Sequence, residues 1–224
     1  MDDSRIIQFS TGRSGSTMVW QVLKELFPNR VIKCHEKELS DIYEECRGNL
    51  KCPVVATQRD PRDVLISIIK IRHFINDVER IKTDLDRSVL LQYIGELKYK
   101  EALLRHYTSP HVPNPLLLLR YEDFYNDYDH LFDTLETFFA IKIDLPTRRR
   151  LEESTSIRAN MDRQKKFNTF AEVDPESNIH GDHITFPDPG SHRLVLSEND
   201  CLWLEQQLVN EISYWDEYWK HYQL

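Results

Sequence analysis

The chain has 224 residues, 40% of them hydrophobic and 29% charged, which is enough for one domain with a buried core and short for two. Lys and Arg number 29 against 37 Asp and Glu, a formal charge of −8, so a chain-wide basic footprint for nucleic acid or an anionic membrane is absent and only a local basic pocket is left open. No apolar run approaches the ~20 residues that span a bilayer, and the acidic start Met1-Asp2-Asp3-Ser4-Arg5 does not read as a signal peptide.

In chain order, Arg5 to Ser10, with Ile6, Ile7 and Phe9, reads as a short buried strand. The Gly/Ser-rich turn Thr11-Gly12-Arg13-Ser14-Gly15-Ser16-Thr17 follows it. A helical pattern then runs through Met18, Val19, Val22, Leu23, Leu26 and Phe27, and Pro28-Asn29 stops it. Arg30 to Cys34 is a second strand, Leu39 to Cys46 a helix, and Pro53 to Gln58 a third strand. Pro61 opens a helix carrying Val64, Leu65, Ile68, Ile69 and Ile71, and proline suits the first helical turn. Leu90, Ile94, Leu97 and Leu104 mark a long helix, which ends before Pro113-Asn114-Pro115. Four leucines, Leu116 to Leu119, read as a strand covered on both faces. Two helices follow, near Asp129 to Phe139 and Thr147 to Ser154. Residues 160–193 are polar, rich in turn formers and aperiodic, and read as a mobile lid loop. A last helix runs from Ser197 through Trp219.

Strands alternating with helices predict an α/β fold: a single P-loop-type domain over 1–224, with a mainly parallel central sheet flanked by helices. The four cysteines (Cys34, Cys46, Cys52, Cys201) form no C-x-x-C pair and read as reduced thiols of a cytoplasmic protein. His180, Asp182 and His183 sit in a turn-rich stretch that reads as a solvated loop, so no metal is expected.

Three polar segments follow predicted strands, and ligands of parallel sheets bind at the strands' carboxyl ends. The first is the turn at 11–17. A strand, a Gly-rich turn and a helix N-terminus make an anion cradle of outward N–H groups. The nucleoside-triphosphate version, G-x-x-x-x-G-K-[ST], is not met: Ser16 stands where the lysine belongs and Ser10 where the first glycine belongs. Arg13 supplies the positive charge instead. The second segment is Arg59-Asp60-Pro61-Arg62-Asp63 through Ser67, an arginine fork plus a hydroxyl. Alone, the first reads equally as a phosphate cradle or a plain βα turn, and the second as a surface helix start. Together they suit a nucleotide phosphorylated at two separate places.

These two segments resemble the sulfotransferase superfamily that uses 3′-phosphoadenosine 5′-phosphosulfate (PAPS), in its small cytosolic type. Residues 10–20 are similar to its 5′-phosphosulfate loop. Arg59 to Ser67 matches its R-[DN]-x-[RK]-D-x-x-x-S motif for the 3′-phosphate. Tyr121-Glu122-Asp123 after the leucine strand resembles its Y-E-D segment, and Thr155-Ser156-Ile157 its adenine-contacting segment. The resemblance implies that Arg13, Ser14, Gly15, Ser16 and Thr17 hold the 5′-phosphosulfate, Arg59 and Ser67 the 3′-phosphate, and Tyr121 and Ser156 the neighbourhood of the adenine. Lys33-Cys34-His35-Glu36 looks like the family's K-T-H segment, which implies His35 as general base and Lys33 on the transferring group, with Glu36 as the rival base. Arg13 stands where the cytosolic group carries lysine, and arginine acts there by charge and not as an acid. Near the C-terminus, Gly190-Ser191-His192-Arg193 resembles the R-x-G-x-x-G-x-W cover, with His192 at the tryptophan position and Arg193 beside the cofactor. His180-Gly181-Asp182-His183 is a second candidate for that cover.

The expected activity is transfer of a sulfuryl group from PAPS, leaving PAP, to a hydroxyl or amine of a small polar acceptor, with His35 as base, Lys33 and Arg13 as charge stabilisers, and no nucleic-acid or membrane partner. The rivals are a non-catalytic nucleotide binder on the same scaffold and a small-molecule kinase, against which the absent Walker lysine argues. The K-x-x-x-T-V-x-x-x-E dimer motif of some relatives is missing, which leaves the oligomeric state open.

Overall fold

The computed structural model describes residues 5–10, 12–34, 52–73, 87–107 and 114–209. Thr11, His35, Glu36, the helix expected at 39–46 and the last helix past 209 lie outside the described residues.

The chain forms β1 (Ile6–Ser10), α1 (Ser16–Leu26), β2 (Val31–Cys34), β3 (Val54–Gln58), α2 (Pro61–His73), α3 (Arg87–Tyr107) and β4 (Leu116–Arg120). It continues with α4 (Tyr121–Phe124), α5 (Tyr128–Phe139), α6 (Leu145–Thr155) and α7 (Ile157–Gln164). A small hairpin, β5 (Val173–Asp174) and β6 (Ile179–His180), precedes a 3-10 turn (Ser191–Leu194) and α8 (Glu198–Val209). The segment expected as a plain loop therefore carries the end of α7, a hairpin and a 3-10 turn.

The sheet has the order β2-β1-β3-β4, and every pairing in it is parallel. This is the α/β class that the alternation of elements predicts. After β1 the chain steps to one side for β2, then back across to β3, so the order reverses between β1 and β3. That reversal opens a crevice at the strands' carboxyl ends. Register brings those ends level, with Ser10 beside Thr57 and Gln58 beside Arg120.

Side chains alternate across the sheet. Ile6 and Val55 pack with Val19, Val22 and Leu23 of α1 and with Leu131, Phe132 and Leu135 of α5. Ile7, Phe9, Val54 and Ala56 face the other way with Cys34 and Cys52. A separate apolar cluster joins α2, α3 and α8 through Leu65, Ile69, Leu97, Leu204 and Leu208. The leucine strand departs from expectation. β4 lies at the edge of the described sheet, and Leu118 is 39% exposed, so one face is not fully covered.

Side-chain caps fix two helix starts. Asp144 accepts from the Thr147 amide at 2.8 Å to open α6, and Ser156 accepts from the Ala159 amide at 3.2 Å to open α7. Among the described residues no helix is long and apolar enough to cross a membrane.

Candidate functional site

The loop after β1 turns on three residues with left-handed backbone: Gly12 (φ 80), Arg13 (φ 60) and Gly15 (φ 75). Successive residues of this kind curl backbone N–H groups toward one point, a concavity suited to anions. Gly15 precedes α1 as its N-cap and cannot carry a side chain: a Cβ there would stand 2.5 Å from Cδ2 of Tyr121. Ser14 ties the loop to β3, its hydroxyl 2.8 Å from that of Thr57. Ser16 and Thr17 open α1, where free N–H groups and the helix dipole favour negative charge.

The loop after β3 starts one residue past the Gln58–Arg120 pair, so Arg59 and Tyr121 emerge side by side. The Arg59 guanidinium lies over the Tyr121 ring, 4.5 Å from its centroid. Asp63, one helical turn on, stands 3.4 Å from Arg59. Burial alone would raise the Asp63 carboxyl, but its hydrogen bond from His192 and the Arg59 charge hold it below the usual carboxylate range. Arg62 turns the other way. It pairs with Asp60 and reaches Glu205 of α8 at 2.8 Å, which makes it a tie between helices.

The two loops meet. Arg13 Nε donates to the Ser67 hydroxyl at 2.9 Å. Burial first, and the Arg59 charge second, lower the Arg13 pKa to about 9. Two buried guanidinium groups this close repel, and an anion between them would relieve both. Arg59 Nε adds to the same deficit: it is buried and has no hydrogen-bond partner among the described residues.

Lys33, at the end of β2, donates to the Thr17 hydroxyl at 2.8 Å and lies 5.5 Å from the Trp20 ring centroid. Burial lowers its pKa to about 8. The Thr17 hydroxyl also lies 3.3 Å from His183 Nε2. His183 stacks in a column with His180 and Phe170.

A cavity of about 70 Å³ runs between these groups, lined by Arg13, Gly15, Thr17, Arg59, Ser67 and Tyr121 among others. Seven residues predicted from sequence, Ser16 among them, thus converge on one cavity, and Lys33 reaches it through Thr17. Ser14 is buried beneath the loop, on Thr57. Ser156 caps α7, while its neighbours Ile157 and Asn160 line the cavity. Arg193 is exposed on the 3-10 turn, and the adjacent His192 is the buried residue, bonded to Asp63. His35 and Glu36 lie outside the described residues.

Sequence reasoning missed Thr185, which bonds both Arg13 and Ser67. It missed His183 as a neighbour of Thr17, and Lys70, whose amine is 5.2 Å from the Phe186 ring centroid. The spacing Ser67 to Lys70 on one helix face was the available signal for the last. The first two arrive from far along the chain in a segment with no periodicity. Among the described residues no group of three His, Cys, Asp or Glu is placed to hold a metal ion.

No protein-family model matches the chain, and no curated protein matches it. Solved structures do. The chain is similar to mouse sulfotransferase SULT7A1 complexed with PAP, with a TM-score of 0.64 and 12% identity, over 95% of this chain and 86% of that one. It is also similar to retinol dehydratase in complex with androsterone and inactive cofactor PAP, with a TM-score of 0.58 and 15% identity, over 95% of this chain and 81% of that one. At this identity the likeness is one of fold: the chain folds as these PAP-bound proteins do.

Proposed function

We propose that the chain is a PAPS-dependent sulfotransferase acting on a hydroxyl or amine of a small polar acceptor in the cytoplasm, with residues 1–224 as one catalytic domain. The observation that carries the reading is the junction of two anion sites at the β1/β3 crevice, Arg13 on one and Arg59 with Ser67 on the other, joined by a 2.9 Å hydrogen bond. A nucleotide with phosphates on both its 5′ and 3′ sides answers both sites at once. The orphaned Arg59 Nε is a donor that a phosphate oxygen would satisfy.

In this reading the 12–17 loop and the α1 N-terminus hold the 5′ side, and Arg59 and Ser67 hold the 3′-phosphate. The acceptor's oxygen or nitrogen bonds to sulfur as the bond from sulfur to the 5′-phosphate oxygen breaks. His35 takes the acceptor's proton. Lys33 and Arg13 stabilise charge on the departing phosphate, as such clamps do in phosphoryl transfer. The Lys33–Thr17 contact at 2.8 Å supports the place given to the lysine. Tyr121 and Ser156 lie near the adenine, and residues 160–193, ending at Arg193, serve as the cover.

Turnover of PAPS with a panel of small hydroxyl and amine acceptors tests the reading. His35→Ala is expected to lower turnover by about 10²–10⁴-fold while leaving PAP affinity nearly unchanged. Near wild-type turnover in that variant overturns the base assignment and moves it to Glu36. PAP binding with no turnover on any acceptor assigns the chain as a nucleotide binder.

A further inference from the structure

The cationic side chains of both anion sites are not open to the crevice. One short stretch, 183–190, lies across them. Arg13 Nη2 donates to the His183 carbonyl and, at 3.0 Å, to the Thr185 hydroxyl. The Thr185 and Ser67 hydroxyls are 2.7 Å apart. Arg59 Nη2 donates to three successive carbonyls, those of Phe186 at 2.7 Å, Pro187 at 3.4 Å and Asp188 at 3.1 Å. The Tyr121 hydroxyl donates to the Pro187 carbonyl at 2.8 Å.

We propose that residues 183–190 form a strap that occupies the nucleotide's own phosphate sites with hydroxyl and carbonyl oxygens, and that the nucleotide binds by displacing it. The inference rests on the function proposed above, since it takes the displaced site to be the PAP site.

Three observations support displacement over simple closure. Arg13 Nη2 and Arg59 Nη2 are already engaged by uncharged oxygens, Arg59 also touching the Asp63 carboxylate at 3.4 Å. Phosphate oxygens make stronger, charge-assisted bonds to the same guanidinium groups. The cavity left beneath the strap is about 70 Å³, whereas small-molecule sites run to ~300–1,000 Å³. Finally, the strap's path is held at its ends and awkward in its middle. Ile184 is clamped by Gln164 of α7 through bonds of 2.6 and 3.3 Å, and Gly190 by Asp63 of α2 at 2.8 Å. Between them Phe186 sits at φ 49, a left-handed conformation that a bulky side chain disfavours. Gly190 holds its end of the strap in a left-handed conformation, φ 79, that glycine adopts without strain.

A strap that competes with the nucleotide lowers its apparent affinity by the fraction of chains in which the strap is open. Loosening the strap must therefore tighten binding, the reverse of what loss of a ligand contact does. Thr185→Val removes the hydroxyl bonded to Arg13 and Ser67 and keeps the shape.

The test is calorimetric titration of the wild type and Thr185→Val with adenosine 3′,5′-bisphosphate (PAP), together with amide hydrogen exchange of the wild type over 183–190. Binding about tenfold tighter in Thr185→Val is expected, as is faster exchange of the Ile184 and Gly190 amides when the nucleotide is bound. Unchanged or weaker binding in Thr185→Val, or slower exchange on binding, overturns the strap while the wild type's binding keeps the proposed function standing. No binding by either form overturns both.

Discussion

Lys33 carries a pH signature that few other residues of the site can give. Burial has moved its pKa from 10.5 to about 8, so the amine is charged at neutral pH and loses its proton within an accessible range. If it stabilises the departing phosphate, turnover must fall as pH rises through about 8. Lys33→Arg, charged throughout, should carry activity further into the alkaline range. A pH–rate profile flat from pH 7 to ~10 in the wild type would remove Lys33 from the chemistry. The residues of this site were unevenly legible. Arg13, Arg59 and Ser67 could be read because strand, turn and helix start fix their spacing locally. Thr185 could not: nothing near it in sequence marks it, and only the return of the chain more than a hundred residues later brings it to the site, while His183 was marked as a possible cover and not as a neighbour of Thr17.

The first two turns of α2 form the element on which the site depends. They carry Asp63, which accepts from Arg59 at 3.4 Å, from the Gly190 and His192 amides at 2.8 Å each, and from His192 Nδ1 at 2.8 Å. Its side chain is fully buried. Asp63→Ala would leave Arg59 buried without its carboxylate and free the 3-10 turn from α2, at a cost of about 3–5 kcal/mol in urea unfolding. A loss under about 1 kcal/mol would show that this network does not hold the segment. Because the folded-state pKa of Asp63 is depressed, its contribution is present above the unfolded carboxyl pKa, roughly 4, and is lost as pH falls through the lower folded value. Among elements, the strands and the long helices were readable from periodicity and length. Coverage of both faces of β4 was over-read, since four leucines look the same whether or not a distant segment packs over Leu118, which is 39% exposed. The 160–193 segment hid its hairpin because two-residue strands leave no alternation to detect.

At the scale of the molecule, the fold explains why the two proposed phosphate sites, so far apart in sequence, share one cavity. A parallel sheet in the order β2-β1-β3-β4 reverses between β1 and β3, and both loops rise from that reversal. The same topology puts Tyr121, at the end of β4, against both Gly15 and Arg59. This arrangement follows from strand order, which local patterns do not determine. The chain-wide charge of −8 therefore coexists with two neighbouring guanidinium groups, Arg13 and Arg59, whose charges repel. The most direct measurement is a calorimetric titration with adenosine 3′,5′-bisphosphate, set beside magnesium ATP and repeated with Arg59→Ala. The account predicts tight binding of the bisphosphate, weak binding of ATP, and a loss of about tenfold to a hundredfold or more in the variant. Bisphosphate binding that is absent, no tighter than that of ATP, or unaffected by Arg59→Ala would contradict it.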